Sequence, residues 1–188
     1  MARRFSHVAG FDDAPFARDH RGDVLVVGTV YSGLRLECVL SGKVRRDGVN
    51  STATLIELVM HSRHQSHLQL VMLQGIAFAG FNVIDLRRLH AALGVPVMTV
   101  MRKVPDMKAI QRALLHKVAG GKRKWRLIEQ AGAVERVRNV YVQRVGLSPS
   151  QAHDVIERYA VNSVLPEPLR AAHLIAGGLV LGESRHRP

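Results

Sequence analysis

Gly10-Phe11-Asp12-Asp13-Ala14-Pro15-Phe16 places two adjacent carboxylates at the end of a short apolar run, 8–11. A run of that length closed by Ala14-Pro15 reads as a first strand over residues 6–11, with Asp12 and Asp13 at its C-terminal mouth. Two further strands, 23–31 and 34–44, follow, joined by Ser32-Gly33, a two-residue hairpin signal between β-branched and apolar residues. After the Asp47-Gly48 turn the period changes: Ser51 or Thr52 can cap a helix in which Leu55, Ile56, Val59 and Met60 fall at helical spacing.

Further along, a buried strand over 70–73 leads into a loop, 74–81, and a helix over 82–93 that Gly94 ends. A strand over 95–101, a helix opened by Pro105 and a weaker strand over 141–145 come next. Ser148-Pro149-Ser150-Gln151 has capping-box spacing and Pro at the first helical position, which predicts a helix to Tyr159. A last helix is expected over 168–181. Three antiparallel strands followed by alternating helices and strands imply a single α/β domain over 1–188, with a mixed five-stranded sheet flanked by helices. Ligands bind at the carboxyl ends of strands in such sheets. Asp12 and Asp13 at the first strand and the 74–85 loop at the fourth would therefore share one edge.

The charge balance points to a polyanion. Lys and Arg number 27 against 15 Asp and Glu, for a net charge of +12 and a pI near 11.0. Aromatics make up only 5% of the chain, which favours contact with a phosphate backbone over base stacking. Cys38 is the only cysteine, so neither an internal disulfide nor a cysteine zinc site is available, and a reducing, cytoplasmic setting is expected. No window approaches the roughly 20 apolar residues of a membrane span, and no apolar signal core follows the basic N-terminus.

With acids scarce, their positions carry weight. Asp12, Asp13 and Asp47 could supply oxygen ligands for Mg²⁺ or Mn²⁺, with Asp85 as a fourth oxygen source, as hydrolysis of a phosphodiester by a bound metal requires. Each also has a purely structural reading: a turn before Ala14-Pro15, an Asp-Gly turn, and a capping box begun at Asn82. In the charged run 121–126, Lys122, Arg123 and Lys124 with Trp125 interleaved either form a solvated face or grip a nucleic-acid strand. The steps of three in His61, His64 and His67 fit no zinc signature. His173, inside an apolar helix, reads as a core histidine, and Glu167 between two prolines as a rigid-loop residue.

GFDDAPF at 10–16, LQGIAFAGFNVIDL at 73–86, GVPVMTVMRKVPD at 94–106 and PEPLRAAHLIAGGLVLGESR at 166–185 together resemble the endonuclease dU family, a largely archaeal group. The match spans nearly the whole chain in order. That family resembles endonuclease V, which implies a ribonuclease-H-like fold and a metal-dependent endonuclease. The implied reaction is cleavage of phosphodiesters in DNA, or in RNA, near a deaminated base such as deoxyuridine. In endonuclease V three acids hold the metal, and Asp12 matches the first. At the second, Asp47 lies just before the helix and Glu57 within it; at the third stands Gln74, followed by Gly75, and an amide is a poorer ligand than a carboxylate for a hard cation.

The chemistry of the carboxylates, with the resemblance matching Asp12, thus gives Asp12, Asp13, Asp47 and Asp85 as the expected catalytic residues, the first three holding Mg²⁺ or Mn²⁺. Arg102 or Lys103 matches the basic residue after the fifth strand. With Lys122, Arg123, Lys124, Trp125, Arg170 and Arg185, these are the expected nucleic-acid contacts. At the C-terminus Ser184-Arg185-His186-Arg187 lacks the glycine usual in the family. Gln74 supports an alternative, a nucleic-acid-binding module on a nuclease-like fold that has lost efficient catalysis.

Overall fold

Alternation along the first strand already divides the molecule into layers. In β1 (His7–Asp13) Ala9 and Phe11 point to one side and Val8, Gly10 and Asp12 to the other. The computed structural model describes residues 5–184; Arg185, one of the expected nucleic-acid contacts, lies outside them. β2 (Asp23–Ser32) pairs antiparallel with β1, and β3 (Arg35–Arg45) antiparallel with β2, as the hairpin signal predicts. Helix α1 (Ser51–Met60) then leads to β4 (Leu70–Gln74), which lies parallel to β1 on its other side. Leu70, Val71, Met72 and Leu73 are all fully buried, because helices cover both faces of the sheet here.

The 74–85 stretch departs from expectation. β5 (Ala77–Phe78) and β6 (Asn82–Val83) form a small separate ribbon, so α2 (Leu86–Leu93) starts four residues later than its spacing predicts, capped by Asp85, whose Oδ1 accepts from Arg88 N. β7 (Val97–Met101) runs parallel to β4. Asp106 caps α3 (Met107–Lys117), and the charged run 121–126 opens α4 (Gly121–Gln130). β8 (Glu135–Val137) and β9 (Val140–Val145) form a hairpin that docks antiparallel on β7. The sheet therefore has seven strands, in the order β3-β2-β1-β4-β7-β9-β8, and not five.

Two helices close the chain. α5 (Pro149–Tyr159) carries the expected capping box, with Ser148 and Gln151 exchanging bonds, and α6 (Glu167–Leu181) packs along β1 and β2. Ala9, Phe11, Val71, Leu73 and Val97 pack under Leu55 and Val59 of α1 and Leu86 and Leu89 of α2. On the reverse face Val8, Leu70, Met72, Met98 and Val100 meet Ala152, Val155, Ile156 and Tyr159 of α5 and Leu169 of α6. No helix among the described residues is long and apolar enough to cross a membrane.

Candidate active site

Parallel register sets the geometry at the carboxyl edge. Phe11 lies opposite Leu73 and Leu73 opposite Thr99, so Asp12 and Gln74 end neighbouring strands, with Arg102 just beyond β7. Alternation turns Asp12 and Gln74 toward the face that α5 and α6 cover.

Asp12 is only 4% exposed. Its Oδ2 lies 2.8 Å from Nδ1 of His173, which α6 carries across the sheet, and its Oδ1 accepts from Asp13 N at 2.9 Å. Burial raises its pKa, and the His173 hydrogen bond and charge and the Arg102 charge oppose that rise. The Oε1 of Gln74 is buried with no hydrogen-bond partner among the described residues. Buried polar atoms are nearly always paired, so an orphaned oxygen at a strand end next to a buried carboxylate marks a place built to receive something.

Asp13 turns to the opposite face. Its Oδ2 accepts from Ala79 N at 2.8 Å, and burial, reinforced by the Asp12 charge, pushes its carboxyl up to about 7. A folded-state value above the ordinary 3.8 means that the native protein holds a proton which the unfolded chain releases between about pH 4 and 7, so stability falls as pH rises through that window. Asn can keep the Ala79 bond without the charge. In urea denaturation with chelator, Asp13→Asn should gain on the parent by on the order of 2 kcal/mol between pH 5 and pH 8. Equal pH slopes for the two proteins would refute this.

The remaining acids do not join Asp12. Asp47 adopts a left-handed φ of 52°; its N donates to Ala79 O at 2.9 Å and its Oδ1 accepts from Phe81 N at 2.8 Å. Asp13 and Asp47 thus grip the 79–81 segment by its backbone, each engaged in holding the β5–β6 ribbon. Asp85 caps α2, on the α1/α2 side of the sheet, opposite to Asp12, so the expectation of a common crevice fails for it. Glu57 is exposed on α1. Among the described residues, no group of three or more His, Cys, Asp and Glu is placed to hold a metal. The three-acid arrangement is therefore absent from them, and Asp12 with Gln74 offers one carboxylate and one amide oxygen. Mg²⁺ takes oxygen ligands, is often held by one or two carboxylates, and keeps several waters, so this smaller donor set fits it.

The basic residues divide in the same way. Arg102 and Lys103 are exposed beside Asp12's edge, and Lys122 and Arg123 are exposed on α4. Lys124 is a correction: it is 2% exposed, and its Nζ donates to the Asp47 carbonyl at 2.5 Å, so it clamps α4 to the Asp47 turn instead of facing a nucleic acid. Burial lowers its pKa. Trp125 is half-buried, and its Nε1 donates to Glu129. Arg170 is tied at 2.9 Å to Glu167, a bond that raises the Arg170 pKa, and sits near Tyr31 at the opposite end of β1 from Asp12.

His173 is the residue that sequence reasoning missed, because an apolar helix with one histidine carries no signal until the helix is known to cross a carboxylate.

The family described as Endonuclease dU matches this chain over residues 4–180. A UPF0215 protein from Deinococcus radiodurans is 55% identical over 181 residues, 96% of this chain and 92% of its own length. Another, from Methanothermobacter thermautotrophicus, is 46% identical over 182 residues, 95% of this chain and 89% of its own. Among solved structures, a protein of unknown function from Archaeoglobus fulgidus superposes with a TM-score of 0.86 at 30% identity, covering 93% of this chain and 98% of its own. Human endonuclease V superposes at 0.57 and 18% identity, over 92% of this chain and 83% of its own, a likeness of fold. The expectation of an α/β domain with a mixed sheet and the fold of endonuclease V thus holds in kind, with seven strands in place of five. Matched over nearly its whole length, the chain belongs to the endonuclease dU family.

Proposed function

We propose that the chain is a single endonuclease-V-like domain that hydrolyses phosphodiesters in nucleic acid with a divalent metal, acting on DNA near a deaminated base such as deoxyuridine. The observation that carries this reading is the buried Asp12 carboxylate, bonded to His173 and set beside the unpartnered Oε1 of Gln74. Asp12 and Gln74 would hold Mg²⁺ or Mn²⁺. When bound, such an ion polarises the phosphodiester and lowers the pKa of a water. With Asp12 ionised, the His173 bond requires Nδ1 to carry the hydrogen, which leaves Nε2 as the ring's basic nitrogen to take a proton from the attacking water. Arg102, close enough for its charge to act on Asp12, would offset charge building on the phosphate. The family name and the fold shared with endonuclease V, one structure of which contains inosine DNA, support the same substrate class.

The test is a labelled duplex carrying one deoxyuridine, incubated in Mg²⁺ or Mn²⁺ beside inosine, undamaged and RNA controls. A nick near deoxyuridine, abolished by chelator, is expected. Binding without cleavage in any of these would favour the binding module, the reading to which the missing third acid at Gln74 lends support. Gln74→Asp should tighten Mg²⁺ binding in calorimetry and raise the cleavage rate several-fold, because a carboxylate is the better ligand for a hard cation; unchanged Mg²⁺ affinity would remove Gln74 from the site.

A further inference from the structure

The loop between β1 and β2 leaves the sheet at the same edge as Asp12. It returns beside the end of β3, where Arg46 N donates to Gly22 O at 2.9 Å. Gly22 has φ 145°, a conformation that L side chains rarely adopt, and this fixes the return. Between loop and turn lies an open pocket of about 460 Å³, lined by Arg18, Asp19, Arg21, Arg45, Arg46 and Asp47 among others. It holds two more guanidiniums than carboxylates.

Those guanidiniums are not equivalent. Arg46 is fixed: Nη1 donates to His20 O, Nε lies 3.4 Å from Asp47 Oδ2, and the group sits 5.6 Å from the centre of the Phe16 ring. Asp47 in turn is occupied by Phe81 N. Among the described residues the Arg45 side chain has one ion pair, a long, exposed one with Asp23 at 3.7 Å, worth little in water. Arg18 and Arg21 are exposed and make no ion pair among the described residues. A rigid wall with uncommitted forks around an open cavity matches an oxyanion with several acceptor oxygens, and Arg is the side chain suited to bidentate phosphate binding.

We propose that this pocket is a phosphate subsite for the nucleic-acid strand, with Arg18, Arg21 and Arg45 as its ligands. Asp12 pairs with Val27 and Val27 with Ser41, so Arg45 lies two strands across from Asp12, roughly 10 Å, and four residues further along, roughly 13 Å. A strand whose scissile bond lies at Asp12 would therefore reach the pocket with a phosphate a few nucleotides away, not with the adjacent one. That placement rests on the nuclease reading; the phosphate chemistry does not.

The test measures binding of a labelled duplex in chelator across a salt series for the parent and for Arg18→Gln/Arg21→Gln. Both side chains are exposed, so folding should be unaffected. The slope of log affinity against log salt should fall by about 0.9 for each duplex phosphate that the variant no longer neutralises. Arg63→Gln, exposed beyond the C-terminal end of α1, should leave the slope unchanged. An unchanged slope in the double variant, an equal fall in Arg63→Gln, or no binding by the parent would overturn the subsite. A reduced slope in a protein that cuts nothing would keep the subsite and remove the nuclease reading, whereas cutting with an unaltered slope would do the reverse.

Discussion

Asp12→Asn should abolish cleavage and leave the fold at least as stable as the parent. The substitution keeps the size of the side chain and removes one negative charge from a group that is only 4% exposed. A carboxylate that holds the metal and orients His173 contributes several kcal/mol to the transition state, so at 1.36 kcal/mol per decade the rate should fall by about 10³ or more. In chelator the effect on folding has the opposite sign. Burial already penalises the charged form of Asp12, and the neighbouring Asp13 is also raised, in part by the Asp12 charge. Removing that charge relieves both, and the melting temperature should hold or rise. Cleavage assays, Mg²⁺ titration and thermal melts on the same preparation separate this from misfolding. Full activity would take Asp12 out of the mechanism, and abolished activity with a lowered melting temperature would make the residue structural.

That carboxylate was legible in the sequence because it ends a strand. The three-strand opening follows from alternation and a two-residue turn, which falls at Gly33-Leu34, one residue beyond the Ser32-Gly33 signal, and α5 from a capping box whose bonds are local. What failed depends on an untypical turn residue or on partners distant in the chain. The β8–β9 hairpin turns at Arg138-Asn139, with Arg138 at φ 53°, a conformation that Gly or Asn ordinarily signals and Arg does not. Lys124 stands among charged residues, yet one helical face is buried against the Asp47 turn, and composition does not say which lysine that face takes. Asp13 and Asp12 are adjacent in sequence and look like a pair of ligands. The pleat sends them to opposite faces, one to His173 and the other to Ala79.

Gly10→Ala should damage stability and activity together. Gly10 lies opposite Thr29 on β2, and both sit beneath the first turn of α6, where Thr29 Oγ1 donates to Pro168 O at 2.6 Å. A Cβ at Gly10 would come within 2.6 Å of the Pro168 carbonyl carbon and 2.8 Å of Leu169 N. These are backbone atoms, which cannot rotate aside, so the methyl must push α6 away from β1. Overpacking of this kind costs about 1–3 kcal/mol, equivalent to a fall in melting temperature of roughly 2–12 °C for a chain of this size. His173 lies five residues further along α6, and its 2.8 Å bond to Asp12 depends on the helix lying close to the sheet. A shift near 1 Å can cost about 100-fold in rate. The rate should therefore drop at temperatures well below the lowered melting point, where the variant is still folded. A variant that melts like the parent would mean that α6 yields without cost; one that melts lower but cuts at the parental rate would show that the Asp12–His173 bond does not serve catalysis.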